Sequence, residues 1–579
     1  MLNSNRIALV QVDYDFGKYY TDFTFYKAFE HLGLGYLASS LEKSGFDVDL
    51  WEGPAMDLSN EEILKNIVNT QPQIVGFTID SYSLDVSMTL ARKIKQELND
   101  VHITVGGHLA TLAPDEILAD YDCIDSLIIG YGEEPIVELA KAISEGKALN
   151  HISGIYYREN GQVLKNLSKP YILDVDAIPF PRRDVLDYRK KVGYPPCARM
   201  ISSRGCPYYC SYCTTHPFLS TGGCLGWIGR SPENIVEEIS QLVDKYKIKT
   251  ILFCDDNFVG PPPKGKERVE KIAQLILEKR LDIHFWIMCR VDAFQKSSQE
   301  FISLLKSAGL WGIFLGLESG SDSQLKRYGK GTNVKKNITA VKLLKANNIM
   351  IEAGFIMFDP FVTFEGIEGN AQFLFEIGEA SIFEYFTNRL ELYPGIRFIP
   401  ELRKRGFLRD DYNYKSIFGY NFEDERIGNI ANYVNVLLHE ELMFVDEIIW
   451  NLKCAIQILN SIIERSKQDK KYDDKFIDSL SIIRDGLINV ELSIGEINFK
   501  AFLRYLDIGR KDRLAQEFDE AKMEHLNSIK EVFAELKEIL KHLYVLTDKM
   551  DFCEERQMLK WFFGCPIFRG EGILEVFLD

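Results

Sequence analysis

One feature constrains this chain more than any other: short apolar, β-branched runs alternate with longer amphipathic stretches, and they do so in two separate series. Such alternation builds parallel sheets wrapped by helices. In the first series, Ile7–Val12, Asp47–Trp51, Ile74–Ile79, His102–Val105 and Ser126–Ile129 read as strands, each followed by a turn and a helical pattern such as Leu84–Leu98. An α/β, doubly wound, Rossmann-like domain is predicted over residues 1–150. A hairpin turning at Asn160-Gly161 and the linker Ile178-Pro179-Phe180-Pro181 fill 151–190 and mark a boundary. The second series runs through Arg199–Ser203, Thr250–Cys254, Ile283–Met288, Gly312–Leu317, Met350–Met357 and Phe383–Leu392. Six repeats predict a partial (β/α)6 TIM-like barrel over 191–405, with Pro232 at a first helical position and Asn333 as an N-cap. From Gly406 the β signal fades, and 406–579 reads as a mainly α-helical domain, for instance Val436–Arg465, broken by the charged turn Lys467–Lys475.

At 579 residues, 46% of them hydrophobic and 26% charged, the chain sustains cores of this size and lies outside the disordered classes. Lys and Arg total 68 against 85 for Asp and Glu; the net charge of −17 weighs against nucleic acid and anionic membranes as partners. No apolar run reaches membrane-spanning length and the N-terminus lacks a signal-peptide pattern, so a cytoplasmic protein is expected. Eleven cysteines are too few for a disulfide scaffold, so their spacing matters more than their number.

In doubly wound sheets ligands bind outside the carboxyl ends of the strands, and in barrels the chemistry sits at the same ends. Here the first domain offers Thr78-Ile79-Asp80-Ser81, Gly106-Gly107-His108 and Gly130-Tyr131-Gly132-Glu133. Small residues at three successive ends admit a large flat ligand; the alternative is that the glycines only make turns. After the first barrel strand, Cys206, Cys210 and Cys213 are spaced C-x3-C-x2-C, with Tyr212 before the last. Three thiolates on one loop hold three irons of a four-iron cluster and leave the fourth open to a chelating substrate. Zinc with His216 as a fourth ligand, and three unrelated buried cysteines, are the alternatives; the motif's place at a barrel strand's end favours the cluster.

At these residues the chain resembles the radical S-adenosylmethionine (SAM) superfamily. Arg230-Ser231-Pro232-Glu233, Phe253-Cys254-Asp255-Asp256-Asn257 and Gly316-Leu317-Glu318-Ser319-Gly320 are similar to the branch that carries an N-terminal cobalamin-binding domain, as are Ile103–His108, Pro114-Asp115-Glu116 and Ile129–Pro135. The resemblance covers Ile7 to Gly395 and leaves the C-terminal region unmatched. It implies that Cys206, Cys210 and Cys213 bind a 4Fe-4S cluster whose unique iron takes S-adenosylmethionine. It further implies that Tyr212, Asp255, Asp256, Arg290, Glu318 and Met357 belong to the SAM pocket, Arg290 as a carboxylate or ribose partner and Glu318 as a ribose partner. Thr78, Ser81, Gly106, Gly107, His108, Gly130, Gly132 and Glu133 are implied to contact cobalamin. Tyr393-Pro394-Gly395 is similar to a family loop, with Ile396 where a small hydroxyl residue is common.

Other cobalamin enzymes carry Asp-x-His-x-x-Gly after the first strand to ligate cobalt from below. Asp13-Tyr14-Asp15-Phe16-Gly17 holds no histidine, so a histidine ligand from that loop is not expected, and His108 is read as a hydrogen-bonding or turn residue. Cys123, Cys254 and Cys289 read as buried apolar residues, whereas Cys197 and Cys224 flank the cluster loop and could face the site. Structural roles are expected for Cys553, Cys565 and Trp561-Phe562-Phe563.

The resemblance implies an enzyme, a C-methyltransferase that acts on an unactivated carbon through a 5'-deoxyadenosyl radical and methylcobalamin, using an electron donor such as flavodoxin or ferredoxin. Two alternatives stand beside it: rearrangement or cyclisation without methyl transfer, and a cobalamin-binding sensor with a structural metal site. The substrate is open among peptide, lipid and small metabolite. The helical region is expected to select it as a lid, or else to act as a brace or dimer surface.

Overall fold

A computed structural model describes residues 2–13, 29–169, 173–192, 196–224, 226–295, 298–469, 473–512, 515–547 and 559. Residues 14–17, Cys553, Cys565 and Trp561-Phe562-Phe563 lie outside them.

The first alternation folds into a parallel sheet. β1 (Asn3–Gln11), β2 (Asp47–Glu52), β3 (Pro72–Thr78), β4 (His102–Gly106) and β5 (Ser126–Ile128) pair in the order β2-β1-β3-β4-β5. Both faces are covered, as near-continuous apolar strands require. Ile7 and Leu9 of β1 pack with Leu34, Leu41 and Leu139 on one side, and Ala8 and Val10 with Met88, Ala91 and Ile94 on the other. The connections reverse direction between β1 and β3, which opens a crevice at their carboxyl ends.

The hairpin set apart with the linker instead extends this sheet. β6 (Ile155–Glu159) pairs antiparallel with β5, and β7 (Gln162–Asn166) with β6, because Ile155 and Tyr157 complete one of the two cores and Tyr156 the other.

The second alternation gives β8 (Cys197–Met200), a short antiparallel ribbon of β9 (Ser203–Arg204) and β10 (Ile228–Gly229), then β11 (Thr250–Phe253), β12 (His284–Arg290), β13 (Leu310–Glu318) and β14 (Met350–Phe355). β8, β11, β12, β13 and β14 form one parallel sheet in chain order, an open partial barrel. Both expected caps are present. Ser231 accepts from the Asn234 amide ahead of Pro232–Tyr246, and Asn333 from the Lys336 amide ahead of Val334–Ala346.

The sixth strand is absent. Phe383–Phe386 forms a 3-10 turn, and pairing shrinks to a single bridge between Phe358 and Arg389. Its backbone groups have found side-chain partners. Asp446 accepts from the amides of Phe383 and Glu384, both at 2.7 Å, and the Asn498 side-chain amide donates to the carbonyls of Ala380 and Ser381. Once satisfied this way, the segment gains nothing from a ladder.

Asp446 and Asn498 come from the helical region, which comprises Glu425–Leu437, a π-helical turn Leu438–Leu442, Met443–Asp469, Asp474–Arg510 and Ala515–Thr547. Its apolar faces are continuous with the barrel: Ile448, Leu452, Phe502 and Phe533 share one core with Ile351, Leu374 and Ile382. Among the described residues no helix is long and apolar enough to cross a membrane.

Candidate active site

A cavity of about 250 Å³ lies in the crevice beyond β1 and β3. Thr78, Gly106, Gly107, Gly130, Gly132 and Glu133 line it from the first domain, and Ser203, Arg204, Cys254 and Asp256 from the barrel, so the ends of the two sheets face one another across it. Leu9, Phe77, Val105 and Ile128 make its floor apolar.

Two of its glycines are obligatory for different reasons. Gly107 has φ +104°, and a Cβ there would lie 2.9 Å from the Ile79 carbonyl oxygen. Gly130, at φ +76°, would place a Cβ 2.6 Å from Gly222 Cα. The first lets two strand-end loops of the cavity wall approach each other; the second lets the domains touch. His108 does not line the cavity. It reaches Thr214 Oγ1 through Nε2 at 2.7 Å and stacks on Phe218 with ring centroids 4.9 Å apart, which places it in the joint beside Cys213. Burial pulls its pKa down to about 4, so it is neutral. Ser81 stays outside the lining. Glu133 is taken up by an ion pair with Arg204, a residue that sequence reasoning missed although Arg204-Gly205 immediately precedes the first cluster cysteine.

His31 was also missed. Its only signal is a histidine just before the Leu32–Lys43 helix, at the far end of the connection leaving β1 and well beyond the 13–17 loop where a ligand motif would stand. Its Nδ1 accepts from the Leu34 amide at 3.2 Å and caps that helix, while Nε2 points toward Thr78 Oγ1 at 3.5 Å in the cavity wall. Burial lowers its pKa to about 4. A neutral imidazole whose Nδ1 is committed as an acceptor carries its proton on Nε2 and has no lone pair there for a metal.

Cys254 corrects a sequence expectation. Phe253 turns outward into the core, so the next side chain turns inward, and Cys254 is exposed to the cavity instead of buried. Cys123 and Cys289 are buried as expected; Cys197 and Cys224 are buried as well, and neither lines the cavity.

The three cysteines of the cluster loop are free and half-buried. Burial pushes the Cys206 thiol up to about 11, so bound metal cations are what would convert it to a thiolate. Among the described residues no three His, Cys, Asp or Glu side chains converge on a point suited to one ion. His216, the fourth ligand that a zinc site would want, packs against Tyr209 at 4.3 Å. Three thiols on one short loop suit a cube of irons, where each binds a different atom.

Behind the loop, Arg290 stacks on Tyr208 at 3.8 Å, pairs with Asp292, donates to the Lys330 carbonyl and directs Nη1 at Cys210 Sγ, 3.7 Å away. Glu318 accepts from Lys330 at 2.6 Å, and Lys330 also donates to the Tyr212 hydroxyl at 3.2 Å. Glu318 holds φ +66°, a strained conformation for a non-glycine, worth about 1–3 kcal/mol, at the bulge where β13 shifts register against β14. Asp256 lines the cavity and accepts from Thr215, whose hydroxyl also lies 3.4 Å from Cys213 Sγ. Asp255 is different: Ser202 and Ser203 occupy its oxygens, and it is 1% exposed. Met357 is fully buried, with its amide on the Asn388 carbonyl. Ile396, 1% exposed, is core.

These residues fit the groups implied by the resemblance. The donor set is three thiols beside a cation, and the neighbouring cavity pairs a glycine cradle and an apolar floor with donors on its walls. Comparison with known proteins agrees. A B12 binding domain model matches residues 23–140 and a radical SAM superfamily model residues 200–374. An uncharacterized methyltransferase of Pyrococcus horikoshii, PH0819, is 34% identical over 343 residues, which cover 59% of this chain and 72% of that protein. The anaerobic magnesium-protoporphyrin IX monomethyl ester cyclase of Rubrivivax gelatinosus is 27% identical, over 56% of this chain and 58% of its own length. The solved structure of the cobalamin-dependent S-adenosylmethionine radical enzyme OxsB, with aqua-cobalamin and S-adenosylmethionine bound, matches with a TM-score of 0.66 at 20% identity, covering 98% of this chain and 84% of that one. That likeness is one of fold, and it takes in the helical region that the sequence resemblance left unmatched. With a B12-binding unit and a radical SAM unit meeting at one cavity, the chain belongs to the B12-binding radical SAM family and is a cobalamin-dependent radical SAM enzyme.

Proposed function

We propose that the protein is a C-methyltransferase acting on an unactivated carbon. The observation that carries the reading is the shared cavity, in which residues next to the cluster cysteines, Ser203, Arg204, Cys254 and Asp256, face the glycine loops of the first domain. When bound, the cluster with S-adenosylmethionine supplies a carbon-centred radical, and cobalamin a transferable methyl group. The protein's residues hold these reactants in register and keep water out. Cys206, Cys210 and Cys213 hold the cluster. Arg290 places positive charge beside Cys210, while Asp256 in the cavity wall and Glu318, held by Lys330 at the end of β13, serve as acceptors for hydroxyl or ammonium groups. The strain at Glu318 supports a functional role for that carboxylate. Gly106, Gly107 and Gly132 admit the flat cofactor, and His108 and Gly130 serve it indirectly by fixing the joint between the domains.

In the overall exchange a substrate C–H becomes C–CH3. One S-adenosylmethionine leaves as S-adenosylhomocysteine, another as methionine and 5'-deoxyadenosine, and two electrons enter from a donor of the flavodoxin or ferredoxin class in the cytoplasm. The test is mass spectrometry of the products after anaerobic turnover of the reconstituted enzyme with candidate peptides, lipids and metabolites. Methyl transfer requires a product heavier by one CH2 and S-adenosylhomocysteine formed alongside 5'-deoxyadenosine. A product of unchanged carbon count, with 5'-deoxyadenosine alone, assigns a rearrangement or cyclisation instead.

A further inference from the structure

Arg204 carries an unmet demand. Its guanidinium lies between Tyr131, 4.6 Å from the ring centre, and Tyr36, at 5.3 Å, and its Nη2 donates to Glu133. The side chain is 9% exposed, yet Nη1 is sealed from water with no acceptor in the protein. A buried guanidinium N–H left unpaired is costly, because it has given up its water without replacement. Glu133 balances the charge but occupies one corner of the fork only, and Arg204 lines the cavity, so a group bound there supplies the missing acceptor once the guanidinium turns Nη1 out of its sealed position.

The backbone beneath Arg204 is closely packed. Gly205 holds φ +79°, and a Cβ there would fall 2.2 Å from the Gly226 carbonyl oxygen, so the strand is clamped against its neighbour one residue before Cys206. Whatever Nη1 grips is therefore held in fixed relation to the cluster loop.

We infer that Arg204 is a positioning residue that donates from Nη1 to an oxygen of the cofactor bound in this cavity, either a corrin side-chain carboxamide or the phosphate of the nucleotide tail. The inference rests on the reading that the cavity takes cobalamin. Its alternative is an ion pair that only joins the two domains, and the two differ in what lysine can replace. Lysine keeps the charge for Glu133 but loses the second planar donor.

The test uses the full-length protein with its cluster reconstituted, titrated with hydroxocobalamin and, separately, with cobinamide, which keeps the corrin amides and lacks the nucleotide. R204K is expected to weaken hydroxocobalamin binding about tenfold or more. Iron content and the thermal midpoint of the cobalamin-free protein should stay at wild-type values. An equal loss with cobinamide assigns the carboxamide; a loss confined to hydroxocobalamin assigns the phosphate. Unchanged dissociation constants for both ligands overturn the inference and leave Arg204 as a domain link. Should R204K lower the thermal midpoint, R204Q, which keeps a planar N–H donor without the charge, decides: tighter cobalamin binding than R204K supports the inference, and equal or weaker binding overturns it. A wild-type protein that binds neither ligand removes the reading of the cavity, and the inference falls with it.

Discussion

The barrel meets its two neighbours through joints of opposite character. Toward the first domain the contact is polar and close: glycine against glycine at Gly130 and Gly222, an ion pair between Arg204 and Glu133, and a hydrogen bond from Tyr82 to Glu391. Toward the helical region the contact is a continuous apolar core with buried caps. The cavity lies in the first joint and stability in the second. A surface that opens to admit cofactors needs reversible polar contacts, whereas a surface that never opens can be dry. This comparison favours the brace over the lid, since contacts of the helical region support the barrel wall at 380–384.

The largest effect should come from breaking the dry joint. Deleting 432–579 removes Asp446, Asn498 and about a third of the shared core, so the truncated chain should fail to fold, seen as aggregation on expression. Phe502→Ala, which strips the contacts with Phe386 at 4.8 Å and Phe358 at 6.3 Å, should cost about 3–5 kcal/mol in denaturant unfolding. A truncated protein that is soluble and binds a cluster would show the joint to be dispensable.

Next in size is the triple substitution of Cys206, Cys210 and Cys213 by Ala. It should abolish bound iron and sulfide, read by chemical analysis and absorption, while cobalamin still binds, because none of the three cysteines lines the cavity. Iron retained in full would place the cluster elsewhere.

The smallest effect sharpens the comparison through pH. Burial, with the Glu391 carboxylate nearby, raises the pKa of Glu384 to about 7 from its ordinary 4.5. The unfolded chain then loses this proton first, so the group withdraws stability as pH rises from about 4.5 to about 7, after which the effect levels off. Glu384→Gln should therefore stabilise the protein more at pH 8 than at pH 5 in parallel melts. An equal shift at both pH values would mean that Glu384 titrates normally.

The alternation of strands and helices was legible because parallel strands covered on both faces carry unbroken apolar runs, as Ile7–Val10 of β1 does. The cluster loop was legible because three thiols so closely spaced at a strand's end serve little besides metal. What stayed hidden was decided by distant partners. The run Phe383–Leu392 has strand composition, but Asp446, far along the chain, takes its first two amides, and Asn498 holds the carbonyls of Ala380 and Ser381 just before it. His31 and Arg204 are single polar residues whose importance comes from a cavity wall that no local pattern announces. Glycines were found correctly and partly misread, since a glycine required by a ligand and one required by a neighbouring backbone look alike in a sequence.

The missing sixth strand leaves β14 as the last member of an open sheet, the position from which proteins most readily recruit a strand from another molecule and aggregate. Here that edge is blunted. The Tyr385 hydroxyl accepts from the Ala353 amide at 3.0 Å, and the Phe358–Arg389 bridge takes up the chain just beyond. The same turn that keeps the barrel open on its flank thus also covers the edge that could template intermolecular assembly, and Tyr385→Phe would leave one buried donor of that edge without a partner.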